Sequence, residues 1–459
     1  MADGTRAAVP AEAVAAAHEQ SARLAGRGIH GAALTWVDNS GITRVKAVPA
    51  GRLAEAVEHG VGMSPVFDVF LLDDSITDSA HVGGPDGDLR LHPDLRRLTE
   101  LAAQPGWAWA PADRYDQEGH PHPCCQRQFA RRMYEEAGAA GFDVCMGFET
   151  EWVVVSADAH EEAGVAPAYA TNGPAYGMSR VVDLSAYLAE LLQAFQAQGV
   201  RVLQLHPEYA AGQFEVSVAP ADPVTTADLA VLVRETVRAV TLRHGLTPIF
   251  SPVAEAGSVG NGRHLHTSLW RDGRNLCRGG EGAAGMTPDG EAFFAGVLRE
   301  LPALMAIGAP SAASYLRLRP GHWAGVYACW GVENREAALR FIPGPSHDLR
   351  TANGEVKCFD AAANPYLVTG CVIAAGLAGV REGLTLPSPV AGDPAGQDSA
   401  ERLPCSLPEA TKHFQDSAVL RAALGDPLFE ALLAVRRAES ELFAQASDEA
   451  LARAVRHVY

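Results

Sequence analysis

Glu149 and Glu151 stand two residues apart in GFETEWVVV, and the β-prone residues after them place the pair in a strand. Residues i and i+2 of a strand share a face, so the two carboxylates project side by side. They repel each other unless they are solvated or a cation sits between them. LHPEYAAGQFEVS adds Glu208 and Glu215 on either side of a short loop with Gly212 at its turn. GNGRHLHTSLW repeats the i, i+2 spacing with His264 and His266, and NGEVKCFDAAANPYL contributes Glu355. Taken singly, each has a plain alternative, a solvated glutamate or a hydrogen-bonded core histidine. Together they supply five carboxylates and two imidazoles beside strand-forming or glycine-rich sequence. That donor set suits hard cations such as Mg²⁺ or Mn²⁺ better than zinc.

Arginines form a second constellation: Arg317 and Arg319 in SYLRLRPG, Arg335 and Arg340 in WGVENREAALRFIP. Each guanidinium is a planar fork of donors that matches phosphate and carboxylate oxygens. Cations plus arginines point to a polyphosphate. Yet no GxxxxGK[ST] occurs, and Gly260-Asn261-Gly262 lacks the third glycine of a dinucleotide-binding loop. A P-loop kinase and a Rossmann dehydrogenase are therefore disfavoured.

The elements that must carry these residues interleave. A short Ala-rich helix spans about 14–25, and two β-prone runs flank the turn Asn39-Ser40-Gly41. GGPDGD at 83–88 is a loop, and Pro- and His-rich punctuation at 111–123 marks a boundary. Beyond it, helices are expected at 126–140, 225–244 and 289–308, with strands at 148–155, 200–206 and 264–270. A periodic helix carrying Leu184, Tyr187, Leu188, Leu191, Leu192 and Phe195 is expected to be capped by Asp183 and ended by Gly199. The apolar run 366–380 is too short to span a bilayer and reads as a buried helix. A Pro/Gly-rich loop occupies 384–404. The fold class is α+β or mixed α/β, with helices and strands interleaved.

Composition sets the wider limits. At 459 residues the chain is long enough for two domains. Its formal net charge of −18 argues against sequence-blind nucleic-acid binding and against an anionic membrane surface. The eight cysteines form no CxxC pair, so zinc-ribbon and thioredoxin-like readings fail. No apolar core follows basic residues at the N-terminus, so no signal peptide is expected and the cytoplasm is the default location.

In this order, GFETEW, HPEYAAGQFE, GNGRHLHTSLW and EVKCFDAAANPYL resemble the glutamine synthetase family from about residue 28 to the end of the chain. The resemblance implies an N-terminal extension at 1–27, a β-grasp domain at 28–115 and a catalytic domain at 116–459. It implies ATP as co-substrate, glutamate as substrate, two or three Mg²⁺ or Mn²⁺ ions per site, and a homododecamer of two hexameric rings. Carried over by motif, Glu151, Glu208 and Glu215 match the ligands of one metal, and Glu149, His264 and Glu355 those of a second. His266 and Ser268 match ATP contacts. Arg335 and Arg340 match catalytic arginines beside the phosphates. Gly260, Arg317, Arg335 and Lys357 fall where the family holds glutamate.

Three departures bear on the amine. Trp323, in RLRPGHWAG, replaces an acidic residue of the ammonium pocket of ammonia-using members, and GVGMSP at 60–65 lacks a second such acid. Lys357 stands where an arginine is usual. An indole in place of a carboxylate suits an organic amine with a carbon stem better than ammonium. The pattern is most like that of γ-glutamylethanolamide- and γ-glutamylpolyamine-synthetase-type members. Ethanolamine is the first expectation; putrescine or spermidine, ammonia, and an inactive ring-forming regulator are the alternatives. The loop 384–404 contains no tyrosine, so the tyrosine adenylylation that switches some family members is not expected.

Overall fold

A computed structural model describes residues 10–157, 167–397 and 400–459. Near the N-terminus, six strands, β1 (Gly31–Val37), β2 (Thr43–Pro49), β3 (Val61–Met63), β4 (Leu89–Pro93), β5 (Thr99–Glu100) and β6 (Trp107–Tyr115), form one sheet. Its order is β2-β1-β6-β4-β3, with β5 also on β6 and only β1 and β6 parallel. The β1–β2 turn forms where the sequence places it. Asp38 Oδ1 accepts the N–H groups of Ser40 and Ile42, and Gly41 takes φ +81° with its α-carbon against the Ala362 carbonyl. No Cβ would fit there. One face of the sheet buries Leu34, Trp36, Leu91, Ala108 and Ala110 with Leu24 and Leu53 of the helices Ala11–Gly26 and Leu53–His59. On the other side Val37 and Trp109 join a core containing Trp152, Val154 and Phe214.

The second sheet comprises β7 (Asp143–Ser156), β8 (Val202–Pro207), β9 (Gln213–Val218), β10 (Leu246–Ile249), β11 (Arg263–Arg271), β12 (Arg274–Asn275), β13 (Tyr327–Val332), β14 (Ala337–Ile342) and β15 (Asn353–Val356). Its order is β13-β14-β15-β11-β7-β9-β8, with β10 on β7 and β12 on β11. The long β7 has β11 and β9 as neighbours, so the carboxylates it carries lie mid-sheet. The apolar run expected to be a buried helix is one, Pro365–Glu382, capped by Asn364. It crosses the helix Pro288–Gly308 at Gly296 and Gly379, where an added Cβ at either glycine would fall within 3 Å of the other helix's backbone. Among the described residues no helix is long and apolar enough to cross a membrane.

Buried ions tie the first sheet and its loops to helices of the rest of the chain. Arg127 contacts Asp94, Asp113 and Asp228 at 2.9–3.1 Å. Glu439, on the C-terminal helix Asp426–Leu442, accepts the Ser40 hydroxyl (2.7 Å) and the Leu72 N–H (3.1 Å). One expectation fails. Asp183 ends a separate short helix, Met178–Asp183, and its carboxylate accepts the Thr171 hydroxyl at 2.8 Å. The helix Ser185–Ala197 starts after Leu184 with no side-chain cap. Competition from a nearby hydroxyl, invisible in the local pattern, takes the aspartate away from the helix end.

Candidate active site

Strand register builds the site. In an antiparallel pair, residues directly opposite each other share a face. Glu149 lies opposite His264, Glu151 opposite Glu215, His266 opposite Glu355, and Glu355 opposite Arg340. The i, i+2 spacings on β7 and β11 thus place both acid and imidazole pairs on one wall of a cavity of about 800 Å³. The β8–β9 hairpin adds Glu208, with Gly212 at φ +65° closing the turn. Of the residues singled out from sequence, all line this cavity except Ser268 and Arg319, whose guanidinium pairs with Asp448 at 3.1 Å. Ser268 is buried further along β11, where its oxygen accepts the Trp270 indole N–H (2.8 Å). The contact expected of it with ATP is not supported by that position.

In this cavity three groups of side chains each bring their ligand atoms within 4.8 Å of one another: Glu149–His264–Glu355, Glu151–Glu215–His264 and His206–Glu208–Glu215. The first is one expected ligand set intact. The other expected set, Glu151, Glu208 and Glu215, is spanned by the second and third groups, which meet at Glu215. Glu151 is held ready: its Oε2 accepts the Gly262 N–H (2.8 Å) and Gln213 Nε2–H (3.0 Å), leaving Oε1 toward His264 Nε2 (3.9 Å).

The two halves differ electrically. Burial, with repulsion from Glu151 and Glu215, pushes the Glu208 carboxyl up to about 7. Burial raises Glu215 as well. Three carboxylates crowded out of water form a place where a cation relieves a standing repulsion. Around Glu149 the charge is already balanced. Burial acts to raise this carboxyl, but hydrogen bonds from His264 and His266 hold it far below the usual range. Glu355 is likewise held low against burial, by Lys357 first and then His264. Arg340 Nη1 meets Glu355 Oε2 at 3.0 Å, and Lys357 Nζ meets Oε1 at 3.1 Å. An ion bound by Glu149, His264 and Glu355 therefore competes with Lys357 for one oxygen. The oxygen and imidazole donors fit a hard divalent cation in both halves.

Anions have waiting donors. Arg340 Nε and Arg317 Nη1 are buried with no hydrogen-bond partner among the described residues. A buried unpaired donor costs about 1–3 kcal/mol, and a phosphate or carboxylate oxygen would relieve it. Arg335 lines the same cavity from an exposed position.

Sequence reading missed His206, Tyr176, Tyr209 and Gln213, which also line the cavity. His206 Nε2 lies 3.2 Å from Glu215 Oε1, and that bond is the main cause lifting its imidazole to about 9. The signal for it was present, since His206 precedes Glu208 by two residues. Tyr176 lies in a loop without periodicity and carries φ +56°. Tyr176, Tyr209 and Trp323 are 60%, 47% and 48% exposed and form an aromatic rim. The Tyr209 and Trp323 rings are 5.5 Å apart.

The glutamine synthetase catalytic-domain profile matches residues 123–453. The chain is 54% identical over 450 residues to the gamma-glutamylpolyamine synthetase GlnA3 of Streptomyces coelicolor, covering 96% of each protein. It is 29% identical to the glutamine synthetase of Pyrococcus abyssi over 86% of each. A solved structure described as a novel glutamine synthase homolog superposes with a TM-score of 0.84 at 33% identity, covering 94% of this chain and 99% of that one. A GmaS/ADP complex superposes with a TM-score of 0.80 at 27% identity, covering 94% and 97%.

Proposed function

Since the chain belongs to the glutamine synthetase family, we propose that it is an ATP-dependent γ-glutamyl ligase that joins glutamate to a polyamine. The observation that carries the amine is the 54% identity, over 96% of both chains, to a protein named for that reaction.

A γ-carboxylate resists nucleophiles because of its charge and resonance, so it must first be activated. Mg²⁺ or Mn²⁺, when bound, would neutralise the phosphate oxygens of ATP. Glu151, Glu208 and Glu215 are the residues to hold one ion, and Glu149, His264 and Glu355 those to hold another. Arg317, with its unpaired Nη1, and Lys357 receive glutamate carboxylate oxygens. Gly260 leaves room there: a Cβ would lie 2.1 Å from the Pro252 carbonyl oxygen and 2.8 Å from Arg317 Cγ. A γ-carboxylate oxygen bonds to the γ-phosphorus of ATP as the bond to ADP breaks. Arg335 and Arg340 face the charge that develops. The amine nitrogen then bonds to the acyl carbon, phosphate leaves, and the amine's proton passes to a carboxylate or water. His266 contributes by fixing Glu149 at 3.2 Å.

Ethanolamine, the first expectation from sequence, gives way to a polyamine. That expectation equated two missing acids with a pocket poor in charge. The cavity nevertheless has an aromatic rim that can face a second ammonium, and the whole chain carries −18. Ethanolamine has no second cation to use these features. Assembly as two stacked hexameric rings, division into domains at 28–115 and 116–459, and a cytoplasmic location complete the reading.

The test is competition. With glutamate, ATP and Mg²⁺, equimolar putrescine, spermidine, ethanolamine and ammonium compete, and mass spectrometry quantifies each amide. γ-Glutamylputrescine or γ-glutamylspermidine should exceed γ-glutamylethanolamide and glutamine by at least about tenfold. A predominance of the ethanolamide would restore the other amine, and a predominance of glutamine would make this an ordinary glutamine synthetase.

A further inference from the structure

Trp323 has φ +52°, a conformation that costs a non-glycine residue about 1–3 kcal/mol and persists only when neighbouring contacts impose it. The contact is Glu336, whose Oε1 accepts the Trp323 backbone N–H at 2.9 Å. Glu336 Oε2 is buried without a hydrogen-bond partner, so the carboxylate is committed to this tether at the expense of its other oxygen. The tether's base is itself fixed. Asn334 Oδ1 accepts the Glu336 N–H (3.1 Å), while its Nδ2 donates to the carbonyls of Val390 (3.0 Å) and Gly392 (2.9 Å). One residue earlier, Glu333 stands at φ +52° and pairs with Arg340. The turn 333–336 thus presents Arg335 to the cavity and Glu336 to the loop that carries Trp323. At the far end of that loop, Gly325 packs against Ala338 and Lys357. Between these two anchors the indole is set against Tyr209.

We infer that Glu336 is a positioning residue for amine selection: by accepting the Trp323 N–H it fixes the indole as the amine-side wall. The inference rests on the reading of this cavity as the site of γ-glutamyl transfer to an organic amine. Glu336 does not line the cavity and touches no reacting atom. Its effect should therefore fall on one substrate only.

Glu336→Ala removes the acceptor, Glu336→Asp draws it back by one methylene, and Glu336→Gln keeps an oxygen in place. Glu336→Ala and Glu336→Asp should raise KM for putrescine about tenfold, the scale of one lost hydrogen bond. KM for ATP and glutamate should stay within about twofold, and Glu336→Gln should restore the wild-type value. In the Trp323→Ala background, Glu336→Ala should add nothing further. A second readout needs no turnover. The emission of Trp323, taken as wild type minus Trp323→Phe, should shift in the Ala and Asp variants and not in Glu336→Gln. An unchanged amine KM with unchanged emission, or an equal rise in KM for all three substrates, would overturn the inference. An emission shift in a protein that joins no amine to glutamate would leave Glu336 in its role and remove the functional reading instead.

Discussion

Glu151→Ala should lose ATP-dependent turnover by at least about a thousandfold. The charge lost is one that a bound cation needs, and Lewis-acid neutralisation of a transferring phosphoryl group supplies several kcal/mol, where each 1.4 kcal/mol is a factor of about ten. Glu151 is a sharp choice because its position is settled without any ion. Gly262 and Gln213 hold Oε2, and β9 places Glu215 directly opposite. Glu151→Gln separates charge from shape. It retains an oxygen for the Gly262 N–H and should be as inactive as the alanine variant while melting like wild type in the absence of divalent ions. Both variants should lose most of the Mg²⁺-dependent rise in melting temperature, since a ligand stabilises only the state that binds it. Near-normal turnover in either would remove Glu151 from the ligand set.

The second large effect is expected at Arg340. Its side chain bridges Glu355 and Glu333 and leaves Nε buried without a partner. That arrangement keeps a fork aimed and one donor free. Arg340→Ala should lower kcat by about 10²–10³, the range for loss of a donor aimed at developing charge. Arg340→Lys keeps the charge but not the planar fork, and should recover only about tenfold of the loss. Steady-state kinetics in ATP check both. Full activity in the lysine variant would show that Arg340 acts as a point charge alone.

Legibility in the sequence followed how local the cause was. Glu149–Glu151 and His264–His266 were readable because strand periodicity is local, and that periodicity put both pairs on the cavity wall. Which pair faces which is a matter of register across strands more than a hundred residues apart, and no spacing encodes it. The buried helix at 365–382 was visible from apolar content, whereas its glycine crossing with the helix at 288–308 depends on a distant partner. Ser268 shares its strand face with His266, yet an indole two residues on engages its hydroxyl and it lies outside the cavity. Trp323 stood out as a departure from a motif, but nothing in RLRPGHWAG announces that Glu336 holds it. The proposed amine differs from the first expectation for a related reason. Missing acids were counted at the motif, while the aromatics Tyr209 and Tyr176, brought in by the β8–β9 hairpin and by a loop without periodicity, were not.

The central claim is that glutamate is activated as γ-glutamyl phosphate and captured by a polyamine. The most direct measurement uses glutamate labelled with ¹⁸O in its γ-carboxylate, together with ATP, Mg²⁺ and putrescine. If a γ-carboxylate oxygen attacks the phosphorus, each γ-glutamylputrescine formed should be matched by one inorganic phosphate carrying one ¹⁸O atom, with ADP as the nucleotide product. Unlabelled phosphate, or AMP in place of ADP, would contradict that chemistry. Labelled phosphate formed with ammonium but not with putrescine would contradict the assignment of the amine.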